Sequence, residues 1–138
     1  GAALAGEKFH HLLAAHARNV RVITRPCAGW VELVERGEVS GAQAQSLVER
    51  EVSPLLAQGA DVLVLGCTHY PFLRPLVERA AGPAVTVLDT GAAVARHTRR
   101  VLEREQLRSM QARNGSIEWH TSGDARQFAS LRERLLQV

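Results

Sequence analysis

Apolar residues recur along this chain in two rhythms, and the alternation between them predicts the architecture. From Ala3 to Ala17 the apolar positions Leu4, Phe9, Leu12 and Leu13 fall at helical spacing, and "VRVIT" (Val20 to Thr24) then reads as a short strand that Pro26 ends. "WVELVERG" predicts a short helix capped at Gly37, and Ser40 opens a longer one running to about Gln58 with Gly59 as its stop. "DVLVLG" (Asp61 to Gly66) is apolar at consecutive positions, as expected of a strand covered on both faces in the middle of a sheet. Phe72 to Ala81 then predicts a helix with Pro71 near its first turn, "AVTVLD" a second buried strand, and "TGAAVARHTRRVLEREQL" a long amphipathic helix. After "RNGS", Ile117 to Thr121 is expected as a strand, followed by a closing helix entered through Ser122, Gly123 and a capping Asp124. Repeated βα units imply an α/β fold, a mainly parallel sheet flanked by helices on both faces.

The size of the chain, 138 residues, suits about one domain with its own core. It opens on Gly1 rather than Met, with a helical pattern at once and no strand ahead, so the start reads as a cut. The two cysteines, Cys27 and Cys67, are too few for a disulfide framework and lack CxxC spacing, which favours a reducing compartment. No apolar run approaches the roughly 20 residues that cross a bilayer, and no export leader is visible. The net charge of +3 and pI near 9.5 come largely from arginines along helices, while aromatics make up only 4%. Single-strand nucleic-acid binders interleave basic and stacking side chains; solvated arginine faces explain this pattern better.

Chemistry concentrates where the run "LVLG" stops on Cys67, Thr68 and His69. Open α/β sheets bind ligands beyond the carboxyl ends of their strands, and Cys67, Thr68, His69, Asp89 and Thr90 are expected to converge there. Free backbone N–H groups at a helix start lower a thiol's pKa and hold carboxylates, which gives Cys67 a route to thiolate and Thr68 a route to binding an acid. His69, two residues on, can relay a proton. The plainer reading is that a lone cysteine packs. Cys27, in a loop entering an apolar helix, reads as packing. The remaining histidines (His10, His11, His16, His97, His120) lack metal-ligand spacing, so no metal is expected, and neither "TSGD" nor "DTGAA" makes a phosphate loop.

Five segments then resemble glutamate racemase, of the cofactor-independent aspartate/glutamate racemase superfamily. "LVLGCTHYPFLRPLV" (Leu63 to Val77) is similar to that family's second-cysteine motif. "EKFHHLL", "RPCAGWVELVERGE", "LDTGAAVARHTRRVL" and "HTSGDARQFASL" are similar to other segments of its second half. The resemblance implies interconversion of L- and D-glutamate by two cysteines on opposite faces of Cα, with no cofactor, pyridoxal phosphate or metal. It implies Cys67 as the second base, His69 as its assistant, Thr68 as a residue binding the substrate carboxylate, and Glu35, in the Val-Glu-x-Gly segment, as the residue orienting His69.

The first cysteine and the Asp-Ser pair that supports it have no counterpart, and Cys27 matches a non-catalytic position whose following proline is Ala28 here. The expected layout is therefore 1–92 as the second lobe carrying Cys67 and 93–138 as a segment returning to an absent first lobe, with exposed apolar helix faces. One base serves one face only, so the isolated chain is expected to be inactive. The implied partners are glutamate, the missing half of the enzyme and a second copy in a homodimer, with no nucleic acid or membrane. The implied setting is the bacterial cytoplasm, supplying D-glutamate for peptidoglycan. Three alternatives stay open: another superfamily racemase or decarboxylase acting on aspartate, hydantoins or malonates; a Cys-His hydrolase or transferase with Cys67 as nucleophile; and a truncated, non-catalytic binding or assembly module.

Overall fold

The computed structural model describes residues 6–109 and 115–136. Helix α1 (Glu7–His16) is followed by irregular chain, then by α2 (Trp30–Glu35), α3 (Gly41–Leu56), β1 (Val62–Leu65), a single 3₁₀ turn (Tyr70–Leu73), α4 (Arg74–Ala81), β2 (Thr86–Asp89), α5 (Gly91–Arg104) and α6 (Ala125–Leu136). The start of the predicted first helix, Ala3 to Ala5, and most of the "MQARNGS" loop lie outside the described residues. Among the described residues no helix is long and apolar enough to cross a membrane.

The fold is α/β, with a parallel sheet flanked by helices. Strands β1 and β2 pair in parallel, from Val62 opposite Thr86 to Leu65 opposite Asp89. The crossover between them is the 3₁₀ turn and α4, so Cys67 to His69 and Thr90 leave the sheet at the same edge. One face of the sheet, Leu63, Leu65 and Val87, closes against Val48 and Val52 of α3, Leu76 and Val77 of α4, and Trp30, Leu33 and Val34 of α2. Leu73, fully buried, ties the 3₁₀ turn to this core. The opposite face carries Val62, Val64 and Leu88, which are exposed in this chain, Val64 to 64%. The consecutive apolar pattern of β1 predicts cover on both sides; the described residues supply it on one.

Two predicted strands do not form. Val20 to Thr24 and Ile117 to Thr121 are irregular, and Val20, Val22 and Ile117 are exposed. A strand is held by a neighbour's N–H and C=O groups, and neither segment pairs with one among the described residues. The closing helix starts as expected: the Gln127 N–H donates to Asp124 Oδ1 at 2.7 Å, an N-cap. Helices α1, α5 and α6 contain no fully buried residue. Val94 and Leu102 of α5 face solvent, whereas Leu135 of α6 rests partly buried on the core.

Candidate active site

Helix α2 ends where the site needs a carboxylate. The Gly37 N–H donates to the Val34 carbonyl and the Glu38 N–H to the Leu33 carbonyl, the paired bonds of a left-handed helix stop. Gly37 takes φ +69°, which a side chain would strain, and a Cβ there would also lie 3.1 Å from Arg134 Cζ of α6. The stop leaves Glu35 as the last residue of α2, and its Oε1 lies 2.6 Å from His69 Nε2.

His69 belongs to the turn that follows β1. The Tyr70 N–H donates to the Cys67 carbonyl at 3.2 Å and the Phe72 N–H to the His69 carbonyl at 3.1 Å, folding the turn back on itself. His69 Nδ1 then lies 3.9 Å from Cys67 Sγ and 3.4 Å from Thr68 Oγ1. The four residues singled out from the sequence, Glu35, Cys67, Thr68 and His69, thus come together in one hydrogen-bonded row, open to solvent on the Glu35 side. Asp89 reaches the same sheet edge but is engaged otherwise. Its Oδ2 accepts from Arg74 Nη1 at 2.5 Å and its Oδ1 from the Gly91 N–H at 2.9 Å, so it fixes the starts of α4 and α5.

The electrostatics of the row follow from these contacts. Burial pushes the Cys67 thiol up, but the backbone amides of His69 and Tyr70 and the His69 imidazole more than reverse this, leaving it below the ordinary thiol value. The Glu35 carboxylate holds His69 above the usual histidine range against the opposing effect of partial burial, and the Cys67 sulfur adds to the rise. With Nε2–H donated to Glu35, Nδ1 faces the sulfur and can accept its proton, and the imidazolium so formed keeps its carboxylate partner.

Cys27 contrasts with this. It is half-buried against the core beside Tyr70, and burial, with Glu51 adding, pushes its thiol up to about 11. Sequence reasoning placed it as packing. It assigned no role to Trp30, whose ring meets Tyr70 edge-on at 4.9 Å between centroids.

Comparison with known proteins bears on the same residues. The family model described as Asp/Glu/Hydantoin racemase matches residues 3–98. The chain belongs to this racemase family. A glutamate racemase of Herpetosiphon aurantiacus is 52% identical over 134 residues, covering 97% of this chain and 53% of that relative. Among solved structures, a glutamate racemase from Bacillus anthracis superposes with a TM-score of 0.82 at 24% identity, over 94% of this chain and 48% of its own, a likeness of fold. A glutamate racemase from Thermus thermophilus in complex with beta-chloro-D-alanine gives a TM-score of 0.72 at 31% identity, over 88% of this chain and 47% of its own. This racemase-family chain spans about half the length of the curated relatives it matches.

Proposed function

We propose that the chain carries one of the two proton-transfer half-sites of a glutamate racemase, which interconverts L- and D-glutamate without a cofactor. The observation that carries the reading is the row Cys67–His69–Glu35, in which a thiol poised below its ordinary value faces a histidine backed by a carboxylate. The thiolate form of Cys67 takes the proton from Cα on one face of the amino acid, or, as a thiol, returns one to that face. His69 takes the proton from the sulfur or restores it, and Glu35 holds the imidazole in the tautomer that leaves Nδ1 toward Cys67. Thr68 contributes hydroxyl and N–H donors to the substrate carboxylate, whose neighbouring carbanion develops charge as the proton leaves. The names of the relatives and a small D-amino-acid analogue bound to the Thermus thermophilus protein support this substrate class.

Inversion requires a second base on the opposite face, and Cys27, with its raised pKa and packed position, does not supply it. In this reading residues 1–92 form the lobe carrying Cys67, residues 93–138 return to the lobe bearing the other base, and the whole works as a homodimer in the bacterial cytoplasm, feeding D-glutamate to peptidoglycan synthesis. The test is incubation of the 138-residue chain, and of the whole protein, with L-glutamate in D₂O. The whole protein is expected to give deuterated D-glutamate and the chain alone none; D-isomer from the chain at enzymatic rates overturns the two-base assignment. Because the family also spans aspartate and hydantoin racemases, the same assay run with aspartate and a hydantoin separates those substrates from glutamate.

A further inference from the structure

Helix α2 touches the turn after β1 twice. Its last residue, Glu35, meets His69. Its first, Trp30, only 2% exposed, lies edge-on to Tyr70 with the ring planes 67° apart. The two contacts are five residues apart on one short helix, about 7.5 Å of axial rise, and they land on adjacent residues of the turn.

Tyr70 is the residue that closes this turn, through its N–H on the Cys67 carbonyl. It also begins the 3₁₀ turn that Leu73 anchors in the core. The aromatic pair therefore sits between the rigid part of the molecule and the two reacting side chains. Leu33 and Val34 seat α2 in the core, but a turn tied to it through Glu35 alone leaves the carboxylate and the sulfur freer to drift relative to one another. Fixed at both ends, it holds Glu35, His69 and Cys67 in one geometry.

We propose that Tyr70 is a positioning residue for the proton relay: its ring, seated against Trp30, locks the 67–70 turn to α2 and so keeps Cys67 and His69 aligned with Glu35. Tyr70 touches no reacting atom in this scheme. The aromatic edge is the working part; the phenolic hydroxyl is hydrogen-bonded at Cys27, away from the relay, and is not needed for this task. The proposal rests on the reading of Cys67 as a proton-transfer base, and it assigns a specific task to a core tryptophan and to the residue after His69.

The test compares Tyr70→Leu with Tyr70→Phe in the whole protein. Iodoacetamide labelling of the Cys67 peptide is followed by mass spectrometry across pH, alongside kcat, KM and the thermal midpoint. Tyr70→Leu is expected to move the labelling midpoint of Cys67 upward and slow labelling at neutral pH by roughly tenfold, one unit in thiol pKa. It is also expected to lower kcat more than it raises KM, while Tyr70→Phe stays within about twofold of the unaltered protein in labelling rate, kcat and KM. An unmoved midpoint in Tyr70→Leu overturns the proposal, and so does a Tyr70→Phe variant displaced as far as Tyr70→Leu. If Tyr70→Leu does not fold, Tyr70→Met, which fills the space without an aromatic edge, takes its place with the same expected outcomes. Labelling does not depend on turnover, so a protein that makes no D-glutamate refutes the function while leaving this measurement able to decide the alignment.

Discussion

Cys67 and Cys27 belong to two regions that treat the same side chain in opposite ways. Around Cys67, at the open edge of the sheet, backbone amides and an imidazole converge on the sulfur and hold the thiol below its ordinary value. Around Cys27, in the loop entering α2, apolar packing and a nearby buried carboxylate, Glu51, push the thiol up to about 11. The difference lies in what can answer a negative charge. Partial burial alone raises a thiol in both places, and only the folded-back turn after β1 supplies enough donors to reverse it.

The hardest test of that contrast is to delete each sulfur. Cys67→Ala in the whole protein is expected to cut exchange of the glutamate Cα–H for deuterium by about 10³-fold, and Cys27→Ala by no more than about threefold. Equal losses would erase the distinction. Alkylation sharpens it. The Cys67 thiol lies below its ordinary value and the Cys27 thiol well above it, so Cys67 carries the larger thiolate fraction near neutral pH. The greater intrinsic reactivity of the more basic sulfur offsets part of this, so Cys67 is expected to label about tenfold faster than Cys27 by peptide mass spectrometry.

A smaller effect probes the histidine. Glu35→Gln removes the main cause of the raised His69 pKa, so the imidazole resonance in NMR is expected to titrate at lower pH than in the unaltered protein, with exchange slowed about tenfold. The sign for stability follows. Because His69 is raised on folding, its contribution is fully present below the ordinary histidine value of 6.5 and fades as pH climbs through the higher folded value. Glu35→Gln should flatten that dependence in denaturation midpoints taken from pH 5 to 9. The smallest effect is expected at Cys27, where replacement by alanine trims a partly buried contact and should cost about 1 kcal/mol of stability in urea unfolding.

Much of this was legible in the residues. The apolar runs "VLVL" before Gly66 and "AVTVL" before Asp89 lead to β1 and β2, and Gly37 and Asp124 mark helix boundaries as their chemistry requires. Local pattern failed where a partner decides the outcome. Val20 to Thr24 has the composition of a strand but pairs with no other strand among the described residues, and the same holds for Ile117 to Thr121. Within the site, Cys67 and His69 follow from their place after a buried strand, but the pairing of His69 with Glu35 spans 34 positions, and family resemblance rather than periodicity pointed to it. The Trp30–Tyr70 contact had no sequence signature, because a tryptophan at the head of an apolar helix looks the same whether it fills space or braces a neighbour.

The distance along the chain between Glu35 and His69 has a consequence for the life of the molecule. As it leaves the ribosome, or whenever it is denatured, the polypeptide has the imidazole of residue 69 without the carboxylate that raises its pKa, so the proton-relay partner of the sulfur is not yet braced. The row Cys67–His69–Glu35 is complete only when these distant stretches meet, which ties its chemistry to correct folding.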